Sequence, residues 1–509
     1  MRKKKWLALL LLLALLGSGV SAQAAEESGG FDPSLFAGKR VGVMAGGIYA
    51  QLGPELLEDA EIYYFSTTTD IVAALTAGKL DAMMEDRTSL QYTASQVSGY
   101  RVEMIEGTEN PIAFIAPKTE EGAALVAELD EWIIGIRSSG ELERLEEKWL
   151  RGTNEDRVME ISTTLPAING TLSVATDPQF PPMEYMKGSD FVGYEIELIA
   201  TFCKEKGYAL DINSSTFSGA LAGVTAGKYD LGVSDFSVTE ERKQSVLFTE
   251  PVLINASAVM FPDDLAGGEK TGFWQKCKDG FEKTFITDNR WELFLDGLLV
   301  TLRITLLSAL FGTALGFAVY LACRGGKKLP ELLSRFCRWL IKGMPEVVFL
   351  MILFYIVFRG SPISGEWTGI VGFTLLFACT VHEILQSAEL ALPTGQALAA
   401  KALGYTELQS FFHILLPQML PFALPAYRSE LSTHVKATAI VGYIAVVDLT
   451  KVSDIVRGIT YDPFFSLIAV AILYFLLAGV LQLGVKLLMR QCDPRRRSEA
   501  QVLKGLVIR

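Results

Sequence analysis

Gly395–Gln418 reads GQALAAKALGYTELQSFFHILLPQ. Small residues (Ala397, Ala399, Ala400, Ala402) lead to Gly404, a glycine able to break a helix, and a second helical run closes on Leu416-Pro417-Gln418. The pattern predicts a helix, a turn and a second helix that Pro417 stops. Taken alone, it is a connection between two hydrophobic segments.

Those segments are membrane-length. Ile304–Cys323, Trp339–Phe358, Gly369–Leu390 and Phe464–Val485 each hold about 20 mostly apolar residues, enough to cross a bilayer. Pro421–Val447 is a weaker candidate, interrupted by Pro425, Glu430, His434 and Lys436; polar, broken helices at membrane depth belong beside a protein-lined path. Counting it predicts five spans. Arg324, Lys327, Lys328, Arg335 and Arg338 follow the first span, and Arg490 and Arg495–Arg497 follow the last. The positive-inside rule puts both loops in the cytoplasm. An odd number of spans then leaves everything before Ile304 outside and Gly395–Gln418 inside.

The N-terminus agrees. Arg2 to Lys5 form a basic start, Trp6–Leu16 an apolar core too short to span, and Ala22-Gln23-Ala24 a cleavage pattern, so residues 1–24 are expected to be a signal peptide.

Between the two lies α/β sequence. Arg40–Met44, Ile62–Phe65 and Leu80–Met84 read as strands, with helices at Thr69–Ala77, Ala123–Ser138 and Leu142–Leu150. A second run begins at Thr171, with strands at Leu172–Thr176, Leu210–Ser214 and Asp230–Ser234 and helices at Glu195–Lys206 and Ala220–Ala226. Thr76-Ala-Gly-Lys-Leu-Asp81 is echoed by Thr225-Ala-Gly-Lys-Tyr-Asp230, and a further aspartate stands five residues beyond each, Asp86 and Asp235. The echo predicts two similar lobes with a cleft between them. Pro262–Gly280, rich in glycine and charge, reads as a linker.

With 509 residues and a mean hydropathy of +0.30, the chain is multidomain and too apolar to be an ordinary soluble protein. Its net charge of -12 argues against nucleic acid as a partner. The six cysteines lack paired spacing, and neither they nor His382, His413 and His434 form a metal-ligand pattern; no cofactor and no metal are expected. No P-loop is present, because none of Gly38-Lys39, Gly78-Lys79, Gly227-Lys228 and Gly326-Lys327 is followed by Ser or Thr.

Gly395-Gln396, Ala399 to Gly404 and Leu416-Pro417-Gln418 resemble the coupling loop of permease subunits of ABC importers, in which two short helices dock on a cytoplasmic ATPase. Leu398 stands where that family has glutamate. Lys342-Gly-Met-Pro345, His382-Glu383 and Leu431–Thr438 are similar to further segments of amino-acid permeases, and Glu383 and Lys436 are candidate pathway residues. In the second α/β run, Asp177–Tyr185, Gly193–Leu198 and Ser234–Arg242 resemble one lobe of polar amino-acid binding proteins; Val41–Gly47, Asp81–Asp86 and Ser139–Trp149 resemble the other. The lobes come in exchanged order.

The resemblance implies a site. Arg242 holds the carboxylate-binding place, where a planar guanidinium forks onto a carboxylate. Ser237 and the backbone near Gly46 and Gly47 would add donors, Asp86 would take the ammonium, and Phe180 and Phe217 would flank the side chain. Asp235 replaces the family's usual glycine and points to a cationic side chain. Because Asp86 and Arg242 come from different lobes, the ligand would close a hinge.

The expected plan is a signal peptide (1–24), α/β lobes at 25–160 and 161–262, a linker (263–292), a five-helix all-α permease domain (293–490) with the coupling loop at 391–418, and a cytoplasmic tail (491–509). The chain is expected to be a membrane permease with a fused extracellular binding domain, not itself an enzyme. It would work as a homodimer in the bilayer with two separate ATPase subunits and carry polar amino acids. Two closures are open to the lobes, within one chain or by a swap across the dimer. The alternatives are an amino-acid sensor or a ligand-gated channel. Ile440-Val-Gly-Tyr443 is similar to a potassium filter, yet Ile444 replaces its closing glycine and both lobes precede the spans.

Overall fold

The computed structural model describes residues 31–263, 273–324, 328–359, 361 and 363–492. The expected signal peptide, most of the linker's first half (264–272) and the tail from 493 lie outside these residues.

Lobe A is a five-stranded sheet. β1 (Arg40–Met44) pairs in parallel with β2 (Glu61–Phe65) and β3 (Ala82–Asp86), and α1 (Tyr49–Leu56), α2 (Thr68–Thr76) and α3 (Arg87–Gln96) follow the successive strands up to β4 (Tyr100–Met104). β1 and β3 are buried almost throughout, as strands covered on both faces must be.

The chain leaves lobe A through β5 (Asn110–Ile112) and enters lobe B at β6 (Ile115–Pro117), followed by α4 (Glu120–Ser139) and α5 (Glu141–Glu146). Next come β7 (Thr171–Thr176), a small antiparallel flap of β8 (Gln179–Phe180), β9 (Glu184–Lys187) and β10 (Asp190–Val192), then α6 (Tyr194–Lys206) and β11 (Ala209–Ser214). α7 (Phe217–Thr225), β12 (Leu231–Gly232), α8 (Glu240–Lys243) and β13 (Val246–Phe248) complete a sheet of order β11-β7-β12-β6-β13. β14 (Leu253–Asn255) then pairs antiparallel with β5, making a two-stranded hinge, and β15 (Ser257–Pro262) returns to lobe A between β3 and β4.

This corrects the lobe boundary expected at 160/161. Residues 113–151 belong to lobe B, and 257–262 to lobe A. The reason is packing: α4 buries Leu129, Ile133 and Ile136, Trp132 Nε1 donates to Glu205 Oε2 of lobe B at 2.7 Å, and Trp149 Nε1 and Lys148 Nζ donate to the buried Glu197 of α6. Helical periodicity says that a face is buried, not against which sheet.

The sequence echo is structural. Gly78 and Gly227 end their helices at φ of +70° and +67°, a conformation costly for other residues. Asp81 then accepts from Arg40 N, and Asp230 from Ser173 N, at 2.9 and 2.8 Å. In each lobe the aspartate thus ties the neighbouring parallel strand at its start.

From Phe273 the expected linker is helical: α9 (Phe273–Phe281) precedes the bundle of α10 (Trp291–Arg324), α11 (Lys328–Lys342), α12 (Glu346–Ile352), α13 (Gly365–Leu390), α14 (Gly395–Ala402), α15 (Glu407–Ser410), α16 (Leu416–Ala437), α17 (Leu449–Thr460) and α18 (Pro463–Cys492). Among the described residues three helices, α10, α13 and α18, are long and apolar enough to cross a membrane. A fourth span exists if α11 and Glu346–Val357 count as one, but they are bent by 104°. The expected span Trp339–Phe358 is thus not one continuous helix: Gly343 and Pro345 part it, and proline cannot continue a helical hydrogen-bond ladder. The fifth candidate is α16, which carries Pro421 and Pro425 inside one 22-residue helix. α10 lies against α13 at glycines; a Cβ on Gly316 would stand 2.5 Å from Ala378 O, the close approach that small residues permit between membrane helices.

Candidate functional site

The lobes meet across the hinge. Arg242, in α8, starts from a well-made cap, with Thr239 Oγ1 accepting from its backbone N. Its guanidinium donates to Ser237 O at 3.0 Å in its own lobe and to Gly46 O at 2.9 Å in lobe A. It also lies over the Phe217 ring, 5.3 Å from the centroid, a cation–π distance. Burial lowers its pKa below the ordinary arginine value. Phe217 in turn meets Phe180 edge-on at 6.2 Å. No carboxylate among the described residues pairs with Arg242; the neighbouring Glu241 accepts instead from Gln51 of lobe A at 2.8 Å.

Opposite stands acid. Asp86, at the end of β3, accepts from Tyr49 Oη at 2.8 Å and Asn110 Nδ2 at 2.9 Å. Asp235, at φ +47°, comes from lobe B to meet it. Glu85, Glu184 and Glu195 are buried as well, and Glu195 Oε2 accepts from Asp235 N at 2.8 Å. Removal from water raises the pKa of Asp86, Asp235 and all three glutamates above the usual carboxylate range; neighbouring acids raise it further for Asp235, Glu85 and Glu184. Asp235 Oδ1, Glu195 Oε1 and Glu184 Oε2 are buried with no hydrogen-bond partner among the described residues.

Arg242, Ser237, Phe180, Phe217 and Gly46 therefore form one cluster, and Asp86 and Asp235 a second beside it. Gly47 differs: its N–H is taken by Met44 O at 3.2 Å. Gly46 meets Arg242 through its carbonyl.

Sequence reasoning passed over the element that spans the cleft. α17 touches both lobes. Lys451 Nζ donates to Asp177 Oδ1 at 3.2 Å and Ser215 O at 2.8 Å in lobe B. Arg457 Nη1 donates to Asp70 Oδ1 of lobe A at 2.7 Å and also holds Asp454. Thr93 Oγ1 donates to Tyr461 Oη at 3.0 Å just beyond. Asp177 is itself tied into the aromatic cluster, since its Oδ2 accepts from Phe217 N at 2.9 Å. Lobe B is held to the bundle again where Tyr355 Oη donates to Gly219 O and Lys228 Nζ to Ser361 O and Ile363 O. The available signal was Lys451 and Arg457, two cations in a strongly amphipathic stretch between hydrophobic spans.

At the far end of the bundle, Gly395–Gln418 forms α14, a turn at Gly404 (φ +82°), and α15 with a Thr406–Gln409 capping box. Ala399, Gln396 and Gly395 lie on α14, whose Ala400 is its buried anchor. Pro417 does not stop the second helix as expected. It sits in the first turn of α16, where its missing N–H costs nothing. Leu398 is 70% exposed, and Lys401 Nζ pairs with Glu407 Oε1 at 3.1 Å. The pathway candidates are apart: Glu383 pairs with Lys342 at 2.7 Å, while Lys436 is exposed.

Residues 172–374 match the family described as "Bacterial extracellular solute-binding proteins, family 3", and residues 312–498 match "Binding-protein-dependent transport system inner membrane component". The first match starts at β7 and leaves lobe A's first four strands outside it. Over 190 residues the chain is 32% identical to the arginine transport system permease protein ArtQ of Bacillus subtilis, covering 37% of this chain and 86% of that one. It is 29% identical over 210 residues to the arginine ABC transporter permease protein ArtQ of Haemophilus influenzae, covering 38% and 91%. A solved amino acid ABC transporter with histidines aligns at 26% identity over 44% of this chain and 99% of its own, with a TM-score of 0.38.

Proposed function

We propose, because the chain belongs to the binding-protein-dependent transport system inner membrane components and carries a family 3 solute-binding domain ahead of its membrane helices, that it is the membrane subunit of an ATP-driven importer of polar, cationic amino acids. The observation that carries this is a hinge, with both sides gripped by α17, that holds across its two lobes both the Arg242 guanidinium, bonded to carbonyls and to no carboxylate among the described residues, and the Asp86–Asp235 acid pair.

The chemistry of such a cleft suits a zwitterion with a second positive charge. Arg242 would exchange its two carbonyl partners for the ligand carboxylate, gaining charge-assisted bonds. Asp86 would take the α-ammonium, and Asp235 a cationic side chain lying between Phe180 and Phe217. The relatives' names, which speak of arginine, point the same way.

In this reading the lobes lie outside the cell and close within one chain. α17 receives the closed lobes at the outer mouth of the pathway, and Gly395–Gln418 faces the cytoplasm. Gly395, Gln396, Ala399, Ala400, Gly404 and Pro417 shape the surface that docks a separate ATPase. Two copies of the chain with two ATPases would enclose the pathway by two-fold symmetry, with Glu383 and Lys436 near it.

Reconstitution in liposomes with the ATPase, followed by uptake of labelled arginine and glutamate, tests the proposal. Arginine uptake that requires ATP is the expected result. Uptake without ATP overturns the importer, a ligand-gated current favours a channel, and preference for glutamate overturns the cationic assignment.

A further inference from the structure

At the end of the bundle away from the lobes, α10, α11 and α13 enclose two cavities that share a wall. One is an apolar slot of about 300 Å³, lined by Leu315 and Val319 of α10, Leu333 and Ile341 of α11 and Leu375 of α13. The other is polar, about 650 Å³, and reaches from α11 to Lys401 and Glu407 of the α14–α15 segment. Cys323, Arg338 and His382 line both. Leu315 and Cys323 are eight residues apart, so the slot runs about 12 Å along α10.

The charges of the polar cavity are mostly spent. Arg324 pairs with Glu389 at 2.9 Å, Arg335 with Glu331 at 2.8 Å, and Lys401 with Glu407 at 3.1 Å. Arg338 is the exception. Among the described residues its Nη1 is buried without a partner, as are Nδ1 of His382 and Oγ of Ser334 beside it. A guanidinium keeps its proton, and a buried donor left unpaired is costly. An anion at the junction of the two cavities would satisfy it.

The surroundings say what carries that anion. α11 exposes Leu329, Leu332, Phe336 and Trp339 and turns 104° from the segment that follows. A helix so built lies along a membrane surface. An apolar slot that ends on a free cation beneath such a helix fits a charged head on a hydrocarbon tail. A small free anion would leave the slot unfilled.

We propose that an anionic phospholipid occupies this place, one acyl chain in the slot and its phosphate on Arg338, with His382 and Ser334 as further partners. Its head group lies against α14 and α15, so the lipid bears on the segment that docks the ATPase; that consequence rests on the orientation proposed above, whereas the site does not.

The test uses the full chain, purified and exchanged into nanodiscs or detergent with equal phosphatidylglycerol and phosphatidylcholine, with retained lipid counted by native mass spectrometry. Phosphatidylglycerol should be kept in preference by about fivefold, the scale of one basic side chain at an anionic surface. Arg338→Gln should abolish the preference, Arg338→Lys should keep it, and Leu333→Trp, which fills the slot, should lower retention of both lipids. Equal retention by the unaltered chain overturns the proposal, as does an unchanged preference in Arg338→Gln. Displacement of phosphatidylglycerol by inorganic phosphate would assign the site to a small anion instead. Because no transport is measured, this outcome is independent of the importer reading.

Discussion

Lys451 Nζ lies 3.2 Å from Asp177 Oδ1 although the two residues are 274 positions apart, and both side chains are almost completely buried. One belongs to α17, the other to the loop between β7 and β8, where its Oδ2 accepts from the backbone N–H of Phe217. The pair joins the bundle to the aromatic cluster of Phe217 and Phe180. Removing one partner of a buried pair strands the other charge, at a cost of about 3–5 kcal/mol. Lys451→Met should therefore lower the melting temperature sharply, and Lys451→Met with Asp177→Leu should recover much of it. A double-mutant cycle by thermal unfolding in detergent reads the coupling; independent, additive losses would show that the pair contributes nothing.

Arg457 and Asp70 make the corresponding link to lobe A, but on a half-exposed carboxylate. Its energy is smaller, about 1 kcal/mol. Asp70→Asn should thus leave the fold and the ligand affinity of the lobes nearly unchanged while uncoupling them from the bundle. The expected outcome is an unaltered ligand Kd with a several-fold loss of ligand-stimulated ATP hydrolysis. A loss confined to Kd would place Asp70 in ligand recognition and contradict this division.

Arg242 carries the carboxylate end of the proposed cleft. Truncating a buried, hydrogen-bonded charge costs about 2–5 kcal/mol of binding, so Arg242→Ala should weaken ligand by at least about thirtyfold in calorimetry, and Arg242→Lys, without the fork, should recover little. Retained affinity would move the carboxylate elsewhere.

What was legible in the sequence follows from where its signals come from. Span lengths, the coupling segment and the lobes' strands are local patterns, and most elements lie within a few residues of their expected bounds. The lobe boundary failed because β6 and α4 follow the first run in sequence yet bury Leu129 and Ile133 against strands laid down later. The kink at Gly343–Pro345 was visible as letters and outweighed by hydropathy. Arg242 and Asp86 were found through motifs. Glu184 and Glu195 lay inside motifs without a role of their own, and Lys451 and Arg457 lay outside them, because their meaning comes from partners over 35 residues away in sequence, such as Asp235 and Asp70.

The acid pair sets a pH dependence. Burial raises the Asp86 carboxyl to about 6, and burial together with Asp86 itself raises Asp235 well above its ordinary value. Raised values mean that the closed, ligand-free cleft favours the protonated forms. Its stability is then complete below the ordinary aspartate range, near pH 4, and is lost as pH rises through about 6. A cationic ligand replaces the protons, so its affinity should rise between pH 5 and 7.5 by up to about tenfold per unit for each proton released. Calorimetry in buffers of different ionisation enthalpy should show that release, and Asp235→Asn should reduce it. Affinity that falls over this range would mean that the acids do not face the ligand.

Leu398 tests the other end. It is exposed on α14, one turn from Lys401, which is held by Glu407 across the Gly404 turn. That ion pair fixes the angle between α14 and α15 only weakly, since both side chains are largely exposed. The apolar Leu398, like Leu403 and Leu408 of the same segment, has more to gain from burial by a partner than the ion pair does, about 1.5–3 kcal/mol for a fully covered leucine. Leu398→Asp should reduce ATPase association by about tenfold or more and leave ligand binding by the lobes untouched, whereas Lys401→Ala should change association by less than about fivefold. Co-purification and ATP hydrolysis at fixed ATPase concentration measure both. If Lys401→Ala proves the more damaging of the two, the docking contact runs through charge, and the leucine is a bystander.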